Sequence, residues 1–233
     1  MKKLIGRTLF LFSDENGRIK ILNEKFFATS VLLNRLLNIK YKGRKIQFLN
    51  IDLASEECFE KFPINPPHHI HYYGGHLKYY GLIDFNEFYK LSDKDQTLFI
   101  WNKGYEYLKL AAAKIKNDSL LEACEYAYHK GLEIRLNPDY KMVEADLILY
   151  DIPVNASIWV NFKNDGMYSK LSLEKDGKVV FEKDIDSTVN GIEFFLDMYK
   201  KIEVKNNGVL IKGHYGVEYL PLFVPVDKEL LDK

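Results

Sequence analysis

Between Ser92 and Gly131 apolar residues recur at steps of three and four, the period of a helix. Leu98, Trp101, Tyr105, Leu108, Ala112 and Ile115 form one stripe. Ser92 and Asp95 supply a start signal, because a hydroxyl can accept an orphan backbone N–H and acidic residues suit the positive end of the dipole. Asn117-Asp118-Ser119 interrupts the pattern and offers a second cap. Leu121, Cys124, Ala127 and Tyr128 follow, and Lys130-Gly131 reads as a left-handed stop. The pattern predicts a helix pair.

Strand-like patterns flank it. Leu4–Phe12, the turn Asp14-Glu15-Asn16-Gly17 and Arg18–Leu22 predict an N-terminal hairpin. Thr29 or Ser30 is placed to cap a short helix carrying Val31, Leu32, Leu36 and Leu37. Lys45–Leu53 reads as a strand, and Ser55 caps a short acidic helix ended by the prolines at 63, 66 and 67. After Asn137-Pro138-Asp139 the period changes. Val154, Ala156, Ile158, Val160 and Phe162 alternate, as in a half-buried strand. Asn164-Asp165-Gly166, Asp176-Gly177 and Asn207-Gly208 are hairpin turns. Ile192–Tyr199 reads as a helix, and Pro221 and Pro225 mark the last apolar run as an edge strand. Together these predict an α+β protein: an N-terminal hairpin and short-helix region, a central helix pair, and a C-terminal antiparallel sheet with one packed helix. The expected division is 1–137 and 138–233.

Composition changes this picture little. In 233 residues, 33 Lys/Arg balance 33 Asp/Glu, so net charge points to no class of partner. The distribution is uneven, since residues 1–50 hold eleven Lys/Arg against three Asp/Glu. Two isolated cysteines and the lack of an apolar run of eighteen or more lead us to expect a cytoplasmic protein without a membrane contact.

Four of the six histidines crowd into His68-His69-Ile70-His71-Tyr72-Tyr73-Gly74-Gly75-His76. With Gly74-Gly75 as a two-residue turn, Tyr73 would face His76, and His69, His71 and His76 would share one side of the hairpin. Three imidazoles converging there could hold zinc or another transition metal, with water activation as the chemistry. No acidic residue lies between Lys61 and Ile83, so a carboxylate ligand would come from elsewhere.

No Walker loop, dinucleotide fingerprint or nucleophile elbow is present in the sequence. Thirty-three aromatic residues instead favour surface recognition, because large rings with few torsions dominate interface energetics. The first expectation is therefore a non-catalytic protein-binding protein, for instance an immunity-type inhibitor of a toxin. Its contact residues would be Tyr72 and Tyr73 of the hairpin together with Lys40, Lys42, Arg44 and Lys45. A metal-dependent hydrolase on the histidine hairpin is the alternative, and a nucleic-acid binder using the basic N-terminal segment is the third reading.

Overall fold

A computed structural model describes residues 4–63 and 65–232. The protein is α+β, with helices and three separate sheets. It divides into two compact units, Met1–Pro138 and Asp139–Lys233.

The first unit is built on a five-stranded sheet of order β2-β1-β3-β5-β4. Its strands are β1 (Ile5–Asp14), β2 (Gly17–Arg18), β3 (Ile46–Ala54), β4 (Ile70–Tyr73) and β5 (His76–Leu82). β1, β3 and β5 run parallel, whereas β2 and β4 pair antiparallel with β1 and β5. The expected N-terminal hairpin is present but short: β2 lasts two residues, and Lys20–Lys25 form helix α1 instead of continuing the strand. The reason lies in burial. Coiling the chain here carries Leu22 and Phe26 into the core, and Asn23 Oδ1 accepts the Phe12 N–H at 2.8 Å.

Helix α2 (Phe27–Lys40) begins before the expected cap residues and has no side-chain cap. Ser30 is occupied elsewhere, accepting the Phe10 N–H at 3.0 Å. Asn34, one turn on, donates to Thr8 Oγ1 at 3.1 Å. Asn38, a further turn on, accepts the N–H groups of Leu4 and Ile5 and donates to the Ile5 carbonyl. This i, i+4, i+8 polar stripe seals the side of β1 that no long strand pairs, which leaves few backbone groups orphaned there.

Ser55 caps α3 (Glu56–Lys61), and Asp84 caps the short α4 (Phe85–Phe88). The central pair is α5 (Asp93–Lys114), capped by Ser92, and α6 (Asp118–Glu133), capped by Asn117. The buried stripe of α5 is rotated from the expected one: Trp101, Leu108 and Ala112 are inside, joined by Ile100, Gly104 and Tyr107, while Leu98 is exposed. Gly131 does not stop α6. It lies within the helix, at a place where a Cβ would run into the Trp101 ring, and the left-handed residues come later, at Arg135 and Leu136.

The inner face of the sheet carries two full rows of buried side chains. Leu49 and Leu77 follow Thr8 in the first, and Phe10, Ile51 and Tyr79 form the second. They share one core with Leu32, Leu37, Ile100, Trp101, Tyr107 and Leu108 of the helices. Burying chains of this size stabilises by about 1.5–3 kcal/mol each.

The second unit begins with a four-stranded antiparallel meander, β6 (Tyr140–Leu149), β7 (Ile152–Lys163), β8 (Gly166–Lys175) and β9 (Lys178–Thr188). Val154, Ala156, Ile158 and Val160 are buried, as the alternation predicted. Asp176 and Gly177 turn the chain with positive φ of 51° and 76°. A three-stranded sheet follows, β10 (Tyr199–Lys205), β11 (Gly208–Gly213) and β12 (Leu222–Pro225), with α7 (Lys228–Leu231) after it. The expected helix over 192–199 is corrected to a single 3-10 turn, Glu193–Asp197, that gives way to β10. Eight residues are too few to hold a helix without a strong buried face. Inside this unit the buried Ser169 hydroxyl meets Tyr199 at 2.7 Å, Tyr199 meets Tyr219 at 3.0 Å, and Tyr219 donates to Asp186 Oδ2 at 2.7 Å. Burial, followed by these bonds, pushes the Tyr219 phenol up.

Candidate functional site

The outer face of the five-stranded sheet holds the candidate site. Alternation along each strand and the pairing register set its contents. The first row is Arg7–Phe48–His76–Tyr73, one residue from each of β1, β3, β5 and β4. The second is Leu9–Asn50–Lys78–His71. The third is Leu11–Asp52–Tyr80, extended by His69, whose carbonyl accepts the Tyr80 N–H at 3.0 Å.

The first row sets charge and rings side by side. The Arg7 guanidinium lies 4.6 Å from the Phe48 centroid, and the His76 ring lies 4.6 Å from Phe48 on the next strand. Tyr73 ends the row and is 80% exposed. In the second and third rows Lys78 sits 5.2 Å from the Tyr80 ring and 3.2 Å from Asp52 Oδ2. Arg18 approaches the same oxygen at 3.1 Å. Asp52 is 6% exposed, so its charge is held under the surface by two cations. Its other oxygen and the side-chain oxygen of Asn50 are buried with no hydrogen-bond partner among the described residues.

These rows line a groove of about 640 Å³. Phe48, Asn50, His76, Lys78 and Tyr80 lie along it, with His71, Tyr73 and Asn65 at its sides. The Gly74-Gly75 turn, with φ of 58° and 83°, stands at its end. The Gly75 carbonyl accepts the Gln47 N–H at 2.8 Å, which places the turn against the start of β3.

The three histidines read as ligands share this face but sit one to a row. His76 is opposite Tyr73, His71 opposite Lys78, and His69 beside Tyr80, with ring centroids 6.0 Å apart in the last pair. Successive rows are about 6.6–7 Å apart along a strand. Lys78, in the same row as His71, directs its ammonium to Asp52 and the Tyr80 ring. Among the described residues no group of three or more His, Cys, Asp or Glu is arranged to hold a metal ion. The fourth histidine, His68, turns towards Tyr79, its Nδ1 lying 3.0 Å from the phenol oxygen. Tyr79 stacks on Tyr107 at 4.3 Å. Burial is the main reason both phenols are pushed up to about 12, with neighbouring negative charge adding to it.

The basic residues proposed for partner contact all lie on the connection from α2 to β3 or at its start. Lys40, Lys42, Arg44 and Lys45 are exposed. Lys40 is placed over the Tyr126 ring at 5.3 Å, and the Lys42 N–H donates to Ser119 Oγ at 2.7 Å. Lys45 precedes β3 directly, and its carbonyl lies close to Gly75. The Lys45 carbonyl and the Gly-Gly turn therefore meet near the Tyr73 end of the groove, while Lys40 and Lys42 are held against α6. Tyr72 points to the opposite face, where its charge helps to raise the Tyr41 phenol after burial, the larger cause.

The sequence reading missed Arg7, Phe48, Asn50 and Lys78. Their signal was period two in 46–54 and 76–82, which puts Phe48, Asn50 and Asp52 on one side and His76, Lys78 and Tyr80 on the matching side. What it lacked was the parallel pairing that aligns them. At the other end of the strands a second cleft of about 460 Å³ is lined by Asp14, Glu15, Glu56, Glu57 and Asp84, so the two ends of the sheet differ in charge. Cys58 and Cys124 are both free thiols, and burial raises each.

Among the described residues no helix is long and apolar enough to cross a membrane. Comparison with protein families, curated proteins and solved structures found no match to this chain.

Proposed function

We propose that the chain works by surface recognition rather than by chemistry, and that the first unit, through its groove and the basic connection from α2 to β3, meets an acidic partner. The observation that carries this reading is the row Arg7–Phe48–His76–Tyr73, laid across four strands on the face turned away from the core. Arg and Tyr are the residue types that anchor interfaces, since each combines large contact area with a directed polar group. The connection from α2 to β3 adds four cations in the six residues from Lys40 to Lys45, with no acidic residue among them. The first unit carries 21 Lys/Arg against 16 Asp/Glu, and the second 12 against 17, so the positive charge is concentrated where the groove lies. An inhibitor covering an acidic surface of a toxin is one role of this kind.

Retention on a heparin matrix tests the reading. A chain of zero net charge has no global reason to be held. Retention at low salt that weakens in a Lys42→Glu/Lys45→Glu double variant is the expected result. Passage without retention would remove the reading.

A further inference from the structure

We propose that a second copy of this chain docks on the free edge of β4, antiparallel and about a two-fold axis at His71, joining two five-stranded sheets into one, and that acid undoes the pairing. The inference stands apart from the acidic-partner reading and concerns the margin of the sheet instead of its groove.

The backbone of the edge is the first argument. β4 is the outermost strand, paired on one side to β5. Backbone groups along an antiparallel pair point alternately towards the partner and away from it. The His69 carbonyl accepts the Tyr80 N–H, so His69, His71 and Tyr73 direct their groups to β5, and Ile70 and Tyr72 direct theirs off the edge. Lysine, proline or a bulge usually blunts such an edge. Ile70-His71-Tyr72-Tyr73 contains neither residue and pairs with β5 without a shift of register.

Register is the second. A two-fold axis normal to the sheet keeps the outer faces of both copies on one side, so only positions of like parity can meet. With His71 opposite the partner's His71, Ile70 faces the partner's Tyr72 and exchanges two backbone hydrogen bonds with it. The symmetric pair exchanges two more, and every outward group of Ile70 and Tyr72 is used. An axis at Tyr72 would instead set Ile70 against Gly74, whose φ of 58° takes it out of the extended conformation.

The side chains agree with that register. On the inner side Ile70 meets a tyrosine, a β-branched residue against a ring. On the outer side Tyr73, 80% exposed, meets the partner's His69, ring against ring. The row Asn50–Lys78–His71 then runs on into the partner's His71 and Lys78.

Charge selects a second copy. From Phe62 to Leu77 there is no Lys, Arg, Asp or Glu, so an edge with neutral imidazoles has nothing to repel its own copy and nothing to attract an acidic strand. Arg44 and Lys45 are exposed at the start of the parallel strands, and the carboxylates of Asp14, Glu15, Glu56, Glu57 and Asp84 lie at the far end. Antiparallel docking sets the basic end of one sheet level with the acidic end of the other, whereas parallel docking would set like with like. These charges are separated by about three strand spacings, some 14 Å, so they favour the orientation more than they add strength.

The axis also makes the pairing sensitive to acid. His71 would occupy a position without backbone bonds, where opposite Cα atoms approach to about 4.5 Å. Two neutral imidazoles are tolerated there, and two imidazolium ions repel. The groups facing His71 are Lys78 opposite it on β5, His69 and Tyr73 on its own side of β4, and the same three residues of the partner strand. Asp52, the nearest carboxylate along the face, is already held by Lys78 and Arg18.

The test is sedimentation velocity with the full untagged chain at about pH 8, from about 1 to about 500 µM. Contact through His69–Tyr73 alone is small for a specific interface, so a dissociation constant on the order of tens of micromolar is expected. At about pH 5 it should rise by about tenfold or more. His71→Gln should pair equally at both pH values. His71→Lys opposes two ammonium groups, and Tyr72→Pro removes an outward N–H while sparing the bonds to β5. Each should weaken pairing by about tenfold or more at the higher pH. Melting at about 1 µM, where the chains are single, shows that a variant folds; if Tyr72→Pro melts lower, His71→Lys decides. A wild-type chain that stays single at the highest concentration overturns the inference, and so does a dimer that persists in His71→Lys. A dimer lost in His71→Lys yet indifferent to pH in the wild type overturns the axis at His71. Assemblies larger than a dimer overturn the two-fold contact.

Discussion

The two faces of the five-stranded sheet are made by the same strands, one residue out of step. On the inner face Phe10, Ile51 and Tyr79 stand in a row and are almost wholly buried. On the outer face the adjacent positions bring Leu9, Asn50 and Lys78 into a row, with His71 beyond them. Packing accounts for the first set, because helices α2, α5 and α6 close over it and share one core with it. Packing does not account for rings and cations in register on the second. A surface free of the core's constraints can vary, so its composition carries information about what the protein meets.

The contrast can be broken from the inside outwards. Phe10→Ala should cost about 3–5 kcal/mol, since a cavity beside Gly104 and Ile51 cannot fully collapse; urea unfolding would measure it, and a cost under 1 kcal/mol would mean that the inner face is not the core. Gly81→Ala should cost about 1–3 kcal/mol by overpacking, because the added carbon meets the Tyr107 ring. The same ring gives an alkaline signature. Burial pushes the Tyr79 and Tyr107 phenols up to about 12 in the folded chain, against about 10 for an ordinary phenol, so their neutral forms are favoured by folding. That contribution is complete below pH 10 and is lost as pH rises through about 12. Melting temperature followed from pH 9 to 12 should fall, less steeply in Tyr107→Phe. On the outer face Tyr73→Ala should change stability by no more than about 0.5 kcal/mol, and a large loss there would make the two faces alike.

Much of the fold was legible because its signals are local. Ser55, Ser92 and Asn117 cap the helices their side chains announced, and Gly74-Gly75 turns the hairpin whose register puts Tyr73 opposite His76. Non-local terms escaped. Ser30 reads as a cap until β1 is placed beside it to claim its hydroxyl. Gly131 reads as a stop until Trp101 is packed on it. β6 was not anticipated, although Val143, Ala145, Leu147 and Leu149 alternate with more polar or exposed neighbours. In the site, the shared side of His69, His71 and His76 followed from period two alone. The spacing that separates them depends on which residue of β5 faces each, and the rows that include Arg7 and Phe48 require a parallel alignment between segments some forty residues apart.

The polar stripe of α2 also limits how copies of this chain can associate. Ser30, Asn34 and Asn38 occupy the backbone groups along one margin of the sheet, leaving β4 as the margin able to accept a further strand. Strand exchange between molecules through that margin can join two β4 segments and then has nowhere to continue. For the five-stranded sheet a closed pair is then the end point, and growth by this route would need the asparagines to let go first.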